Sequence, residues 1–541
     1  MISSARKQPI AERRLRKLLA RGYFPSELPP PFTTETFALH ADSFAKKWQG
    51  SEIRGYWTAP EAYSIARYGD ARRKLSIVNP INQLHVAQLI SDNWSKLRKK
   101  LNRSKITEFK PNFSLSNNGR AITGVDFDGV SRQRARLLAT YGRYVKTDIA
   151  RFYPSIYTHS IAWSIVGKAH AKASHSSKVF KESYPNHLDK AVGAGQEGQT
   201  IGIPIGPDTS RIISELVIVE IEEIVKKHIH DFENRSVRYV DDFLIGLNEN
   251  ETAATALSGL SLALYDYQLE LNAEKTNTFG LGCDHAPEWI HYVRTFLFNT
   301  RTSRQRDDLD SFFEQAVYLA DHNKRDNALL FAVKRAASFA VDKTNIDHLV
   351  RWMLYSARRS ATCLSFVAEY LAATNATTAL PVDEIYAYII EQIPVKAAVG
   401  HTDELAWLLF WAREIKLSIP SAILANVVGL RSSVVGLLTL DLWHNGLITG
   451  ALDFSFWQSF ATEIGLKSEM WLISYEATQK KWWPKPQSDD FITQHKFFGD
   501  LAASKVEFYE AGRKARRRIQ HSPFGKKSAA NSDPGSFGYP I

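Results

Sequence analysis

The sequence predicts an α+β domain over roughly the first 300 residues and an all-α region after it. Up to residue 298, short β-prone runs alternate with apolar stripes at helical spacing, a pattern typical of an antiparallel sheet backed by helices. Beyond residue 300, one helical pattern follows another without β-alternation. Because the chain has 541 residues, more than a single hydrophobic core usually comprises, two or three domains are expected.

Residues 1–70 are predicted to form a basic amphipathic helix and then a Pro-rich extended stretch, 25–31, that lies across another domain. The next residues predict a strand at 73–80 and a helix at 84–100. Between later β-prone runs, helices are predicted at 158–168, 210–228 and 253–267.

The second half of the chain predicts helices at 306–321, 326–341, 346–355, 361–373, 382–393, 403–415, 420–428, 432–444 and 453–464. Helices of these lengths resemble a solenoid-like array, although no sequence repeat is detectable. The tryptophans of this region, such as Trp407 and Trp411, are expected in its core. A basic helix at 508–519 and a Gly/Ser/Pro/Lys-rich flexible tail are predicted to follow.

Composition favours a polyanionic partner. Lys and Arg total 68 against 57 Asp and Glu, which gives a net charge of +11. Two cysteines are too few for a disulfide framework, so a cytoplasmic location is expected. No apolar run reaches the roughly 18 residues of a membrane helix, and no signal-peptide pattern follows the basic N-terminus, so neither membrane insertion nor secretion is expected.

The positive charge is concentrated in three basic clusters, at 6–21, 96–105 and 513–527. Clustered basic residues bind phosphate backbones without reading sequence. Each cluster could also be a solvated helix face or a flexible tail.

Tyr239-Val240-Asp241-Asp242 lies between two β-prone runs, 237–240 and 243–247, and predicts a hairpin with two adjacent carboxylates at its tip. Two neighbouring acids repel each other unless a cation lies between them or water solvates them. We therefore expect either a solvated turn or a divalent metal site, with Mg²⁺ held by hard oxygen ligands.

A third carboxylate, Asp148, ends an earlier β-prone run and precedes the aromatic pair Phe152-Tyr153. In a two-metal polymerase, one carboxylate from a first strand and one or two from a neighbouring hairpin hold the ions. Asp148 with Asp241 and Asp242 would supply this set, because the intervening chain is long enough for a helix and a return strand.

These two segments resemble the first and third palm motifs of reverse transcriptases, and the Tyr-x-Asp-Asp form is their most specific element. Residues 202–211 resemble the second motif, a Gly/Pro loop leading into a helix, and residues 269–276 resemble the motif that follows the third. Within the family, residues 148–161, 202–211 and 22–32 look like the abortive-infection and related defence-associated enzymes of bacteria.

The resemblance implies an α+β fingers and palm at 71–300, a helical-repeat-like domain at 301–505, and a basic helix with a flexible tail at 506–541. It implies Mg²⁺-dependent DNA synthesis from dNTPs in anti-phage defence, primed by a protein tyrosine and possible without a template. The first alternative is a templated enzyme that copies a noncoding RNA or a mobile element. A non-catalytic, RNA-binding helical scaffold is the second, although the intact acids speak against it. A homo-oligomer also stays open.

The resemblance also implies roles for single residues. Asp148 and Asp241 would be the catalytic metal ligands, with the backbone carbonyl of Ile149 as a further ligand and Asp242 in support. The residues that would bind the dNTP are Arg73, Lys74, Tyr153, Pro204, Gly206 and Lys275.

Among the dNTP-binding residues, Arg73 and Lys74 would reach the phosphates and Tyr153 would exclude a 2′-hydroxyl. Lys275 would neutralise the pyrophosphate, and Pro204 and Gly206 would let the backbone approach the nucleotide closely. Ile205 stands where retroviral enzymes carry Gln, a departure that puts template positioning in doubt. The candidate priming residues, expected to be exposed, are Tyr23, Tyr509 and Tyr539.

Overall fold

The structure is a computed structural model that describes residues 9–69, 71–114, 119–125, 127–280, 288–324 and 326–515. Its elements confirm the predicted fold class, an α+β fingers and palm followed by a helical region. The candidate Tyr539 and the end of the predicted basic helix, 516–519, lie outside the described residues.

The N-terminal part contains α1 (Ile10–Arg21), α2 (Glu35–Leu39), α3 (Ala41–Lys47) and α4 (Ser51–Arg54). The fingers follow with β1 (Glu61–Ala66), β2 (Arg72–Ile77), α5 (Pro80–Asp92), α6 (Trp94–Leu101), β3 (Phe109–Phe113), β4 (Ile122–Val125) and α7 (Phe127–Thr140). Helix α5 begins where Asn79 caps it, since the Asn79 side chain accepts the N–H of Ile81 at 3.2 Å and Pro80 occupies the first helical position. β1 and β2 form a hairpin that spans the expected boundary at residue 70.

The palm consists of β5 (Arg143–Asp148), α8 (Phe152–Ser155), α9 (His159–Val166), α10 (Lys168–Ser174), α11 (Lys178–Lys181), α12 (Tyr184–Ala194), α13 (Asp208–His228), α14 (Phe232–Arg235), β6 (Ser236–Tyr239), β7 (Asp242–Leu247), α15 (Ala253–Tyr265) and β8 (Asn277–Gly280). Its strands form an antiparallel sheet of order β6-β7-β5-β8. Val145, Phe243 and Ile245 are buried in the main core, and α13 packs against α9 and α15.

The helical region contains α16 (Glu288–Thr295), α17 (Gln305–His322), α18 (Ala328–Ala337), α19 (Ile346–Arg359), α20 (Leu364–Asn375), α21 (Val382–Ala398), α22 (Thr402–Glu414), α23 (Ser433–His444), α24 (Ser455–Gln458), α25 (Glu463–Lys467), α26 (Trp471–Gln479), α27 (Asp490–Thr493) and α28 (Lys496–Ala503). From α16 to α20 each helix packs on the next, and α20 packs on α22. Short pieces complete it: β9 (Ile419–Pro420), which pairs with β10 (Ile448–Thr449), and 3₁₀ turns at Thr302–Arg304, Lys343–Asn345, Ala361–Cys363 and Ser421–Leu424.

Later helices of this array contact the fingers. Helix α22 packs against β1, and Arg72 of β2 forms ion pairs with Asp403 and Glu404 of α22, the latter at 2.8 Å. Nearby, the indole N–H of Trp471 donates to the carbonyl of Ile77 at 3.3 Å. Helices α22 and α26 therefore hold the two strands of the fingers hairpin.

The Pro-rich stretch lies across the helical region, as predicted. The carbonyl of Glu27 accepts the indole N–H of Trp407 at 3.1 Å, and the N–H of Glu510 donates to the carbonyl of Pro31 at 2.8 Å. Phe32 and Tyr509 pair in an antiparallel bridge. N- and C-terminal segments thus share one core.

Three helix predictions in the second half were wrong. Residues 420–428 contain only a 3₁₀ turn, and 453–464 divide into α24 and the start of α25, which Thr462 caps by accepting the N–H of Gly465. Residues 508–515 are not helical, because Thr33 and Glu476 bond the backbone of Phe508 instead. No helix in the described ranges is long and apolar enough to cross a membrane.

Glu61 of β1 makes the junction between fingers and helical region sensitive to pH. Its carboxylate is buried and accepts bonds from the Ser432 hydroxyl at 3.0 Å and the Val434 N–H at 3.3 Å, at the start of α23. Burial raises the pKa of Glu61 to about 7. A raised pKa means that the folded state binds the proton more tightly than the unfolded chain does.

We therefore predict that stability from protonated Glu61 is present at pH 4 and lost as the pH rises through 7. Between pH 5 and pH 7, the free energy of unfolding of the wild type should fall relative to that of Glu61→Gln, by up to about 1.4 kcal/mol per pH unit. The thermal midpoint of the wild type should fall with it. Differential scanning fluorimetry across this range measures the effect, with the exposed Glu463→Gln as control. Parallel midpoints for wild type and Glu61→Gln would contradict it.

Candidate functional site

The predicted hairpin is formed by β6 and β7, with Val240 and Asp241 at its tip. Val240 adopts a left-handed backbone conformation, with φ of 55°. Such a conformation is strained for a β-branched residue and persists only where the surrounding structure enforces it. The backbone of the tip is therefore held in one conformation, which sets the positions of the two acids.

The three predicted acids come together at one end of the palm sheet. Asp148 lies directly opposite Asp242 in the pairing of β5 with β7. Burial, and then repulsion from Asp148, raises the pKa of Asp241. Burial, and then repulsion from Asp241, raises the pKa of Asp242 to about 7. Mutual repulsion of this kind is what a bound cation would relieve.

Lys275 supplies a positive charge at this end of the sheet, because its ammonium forms an ion pair with the carboxylate of Asp148. Among the described residues, no group of three or more His, Cys, Asp or Glu side chains is already arranged as a metal site. The donor chemistry nevertheless fits Mg²⁺, since carboxylate oxygens are its preferred ligands. To bind the ion, the Asp148 carboxylate would have to release the Lys275 ammonium.

Arg73 and Tyr153 lie close to these acids. Partial desolvation and repulsion from Arg67 lower the pKa of Arg73, whereas attraction by Asp241 acts in the opposite direction. The Tyr153 hydroxyl accepts a hydrogen bond from the Ser214 hydroxyl of α13 at 3.1 Å, and burial raises the pKa of Tyr153 to about 12. The bond to α13 thus fixes this ring of α8 beside the acids, where the family resemblance implies that it excludes a 2′-hydroxyl.

The Gly/Pro loop is engaged by other parts of the chain. Ile205 accepts the N–H of Ser76 from β2 at 2.8 Å. Gly206 has φ of 128°, and a Cβ there would lie 2.8 Å from the ring of Pro25, so the N-terminal stretch needs this glycine. Pro204 is buried. The close neighbour of Gly206 is thus Pro25, at the position where the sequence predicted a nucleotide.

The side chains of Lys74 and Ile149 do not share the orientation of Arg73. Lys74 shares a strand face with Arg72, opposite to that of Arg73. The side chain of Ile149 is buried, and its backbone pairs with Leu271. Only a backbone group of Ile149 could therefore face an ion.

The exposure predicted for Tyr23 and Tyr509 was wrong. Tyr23 is 1% exposed and donates its hydroxyl to the carbonyl of Val78. Tyr509 is fully buried and donates to the Asp441 carboxylate at 2.6 Å. Both rings pack in aromatic clusters with Phe508, Phe32 or Trp482, because an aromatic-rich segment beside prolines gains more from burial than from solvent contact.

The first two basic clusters meet on one surface, but acidic side chains of the same protein neutralise part of their charge. Arg16 pairs with Asp42 of α3, and Arg103 pairs with Glu220 of α13 at 3.0 Å. The guanidinium groups of Arg14 on α1 and Arg98 on α6 lie close enough to repel each other, and desolvation with this repulsion lowers the pKa of Arg14. Like charges that lie this close together favour a polyanion.

Two buried ion-pair networks were missed in the sequence. Asp208, at the start of α13, binds Arg120, whose guanidinium also donates to the carbonyl of Gly206 at 2.6 Å. Arg238, immediately before the Tyr-x-Asp-Asp segment, pairs with Glu215 and Glu222 of α13. For the second network, the signal in the sequence was a pair of acids, seven residues apart, inside the apolar stripe of a predicted helix.

The pKa of Asp242 generates a prediction about metal binding. Below pH 7 this carboxyl is mostly protonated, and above pH 7 it is ionised. Because a cation binds the ionised form, Mn²⁺ affinity should weaken as the pH falls from 8 to 6, by up to about tenfold per unit below 7. Calorimetric titration with Mn²⁺ measures this slope, and Asp242→Asn should flatten it. An equal slope in the variant would contradict the assignment.

Lys275 should act on turnover rather than on nucleotide affinity. We predict that Lys275→Gln lowers kcat for nucleotide addition by about 100-fold, because a positioned proton donor for the leaving group is lost, while the KM for dNTP changes little. Lys275→Arg, which keeps the charge, should lose less. Single-turnover extension assays separate the two constants, and a Gln variant within twofold of the wild-type rate would rule out this role.

Comparison with known proteins identifies the domain. The family described as reverse transcriptase (RNA-dependent DNA polymerase) matches residues 77–301. No curated protein matches the chain. The match includes Asp148, Asp241, Asp242 and Lys275, and it begins four residues after Arg73.

Solved structures similar to this chain include telomerases. Apo telomerase from Candida tropicalis truncated from its C-terminal domain shows 14% identity and a TM-score of 0.29 over 47% of this chain and 57% of that one. Apo telomerase from Candida tropicalis shows 14% identity and a TM-score of 0.31 over 79% and 77%. Telomerase from Candida albicans with a fragment of telomeric RNA shows 12% and 0.28 over 75% and 69%. This chain therefore spans 57% of the length of the truncated enzyme.

The family match and the palm sheet with its acids agree on one conclusion. Residues 77–301 match the reverse transcriptase family, and the enzyme class predicted from the sequence, RNA-directed DNA polymerase, is the class that this family describes.

Proposed function

We propose that the protein is an Mg²⁺-dependent DNA polymerase that copies an RNA template in bacterial anti-phage defence. The observation that carries the catalytic part is the meeting of Asp148, Asp241 and Asp242 at one sheet end, beside Arg73 and Tyr153. The defence role is supported by the sequence resemblance of residues 22–32, 148–161 and 202–211.

Each side chain has a task in nucleotide addition. When bound, Mg²⁺ supplies charge that stabilises the attacking and leaving oxygens. Asp148 and Asp241 would hold it, and Asp242 would maintain the negative field around them. Arg73 would bind the triphosphate, and the Tyr153 ring would block a 2′-hydroxyl. Lys275, displaced from Asp148, would be free to give its proton to the pyrophosphate.

RNA templating from a nucleic-acid primer is favoured over priming by Tyr23 or Tyr509. Tyr23 and Tyr509 are buried and hydrogen-bonded, so their hydroxyls do not reach solvent. The surface formed by Arg14 and Arg98 carries charge that suits a phosphate backbone. The template would lie along this surface, next to the fingers.

We predict that purified protein extends an annealed DNA primer on RNA with dNTPs and Mg²⁺. Asp241→Ala should lower the rate at least about 1,000-fold, because a metal ligand is lost. Glu249→Ala, an exposed acid beyond β7, should leave the rate unchanged. Denaturing gels with labelled dNTPs measure the product.

The same assay without RNA or primer tests the competing mechanism. A protease-sensitive product that migrates with the protein would overturn templating and support protein priming. Silence of the wild type under every condition would favour the scaffold alternative. Extension on RNA that requires Asp241 would support the proposal.

A further inference from the structure

Arg238 occupies an unusual position at the root of the acidic hairpin. Its guanidinium is 0% exposed and lies between two carboxylates of α13. It donates to Glu222 at 2.5 Å and to both oxygens of Glu215 at 2.6 and 3.1 Å. One nitrogen also donates to the backbone carbonyl of Val240 at 2.7 Å.

The bond to Val240 acts on the strained part of the tip. Val240 is the residue with φ of 55°, and its carbonyl belongs to the peptide group that joins it to Asp241. A charged donor in a dry site makes a strong and directional bond to a carbonyl. The orientation of this peptide, and with it the start of the Asp241 side chain, is therefore fixed by Arg238.

Arg238 is itself fixed from several directions. Its N–H donates to the carbonyl of Ile106 at 2.8 Å, and its carbonyl accepts the N–H of Glu108 at 3.0 Å. Glu215 and Glu222 are seven residues apart, so they lie on one face of α13 two turns from each other. The guanidinium cannot move without leaving two buried acids unbalanced.

We propose that Arg238 is a positioning residue that holds the Val240–Asp241 peptide so that Asp241 faces the metal. The inference rests on the proposed function for the identity of the ion. Arg238 does not touch metal or nucleotide, and it acts through the backbone of the tip.

Arg235, the last residue of α14 and directly before β6, provides a matched control. It is also buried, pairs with Glu251 through two nitrogens, and donates to the carbonyl of Gly246 at 3.3 Å. This bond lies at the opposite end of the β6–β7 pair from the tip. Arg235→Lys and Arg238→Lys thus both replace a buried forked donor by a single ammonium.

The experiment compares these two variants by Mn²⁺ binding in electron paramagnetic resonance, by the Mg²⁺ dependence of primer extension, and by thermal midpoint. Both variants should lose stability to a similar degree. Arg238→Lys should raise the half-saturating Mn²⁺ and Mg²⁺ concentrations at least fivefold, whereas Arg235→Lys should stay within twofold of the wild type. Equal metal dependence in the two variants would overturn the proposal.

Two further results keep the tests separate. A wild type that binds Mn²⁺ but makes no DNA contradicts the proposed function, while the Mn²⁺ comparison still decides the role of Arg238. If Arg238→Lys does not fold, Glu215→Gln removes one of the two acids that clamp the guanidinium and should raise half-saturating Mn²⁺ at least twofold. Unchanged Mn²⁺ binding in Glu215→Gln would then overturn the positioning role.

Discussion

The register of β5 against β7 is the constraint on which the acidic end of the palm sheet depends. It places Asp148 opposite Asp242 and sets the hairpin tip beside both. A slip of one residue would turn every side chain of β7 to the other face of the sheet, so the apolar residues Phe243 and Ile245 enforce the pairing by their burial. The acids repel one another, and the core beneath them supplies the free energy that keeps them together.

The catalytic motifs could be predicted from the sequence because each joins a local pattern to a definite chemistry. The carboxylates, the hairpin and the long helix after the Gly/Pro loop all lie where the sequence predicts them. Long-range pairing could not be predicted. No local sequence pattern shows that Arg103 forms an ion pair with Glu220, that Pro25 covers Gly206, or that Arg238 faces two acids of α13.

Burial in the tertiary structure also explains why the exposure predicted for Tyr509 was wrong. Tyr509 follows a Lys- and Glu-containing segment and precedes a run of basic residues, which suggests an exposed helix. The structure instead inserts the segment between the Pro-rich stretch and Glu476, where backbone pairing replaces helical bonds. Helix propensity is a weak prior, and here the neighbouring aromatic core outweighs it.

The position of Arg72 and Arg73 on one strand has a thermodynamic consequence. Arg72 is held by Asp403 and Glu404 of α22, and the next residue lies within the electrostatic reach of Asp241. If Arg73 binds an incoming triphosphate as proposed, a ligand that shifts α22 would change that affinity. By linkage, the triphosphate would change the affinity of that ligand by the same factor. The helical array and the nucleotide pocket would then share one coupling free energy, and occupancy of either would report on the other.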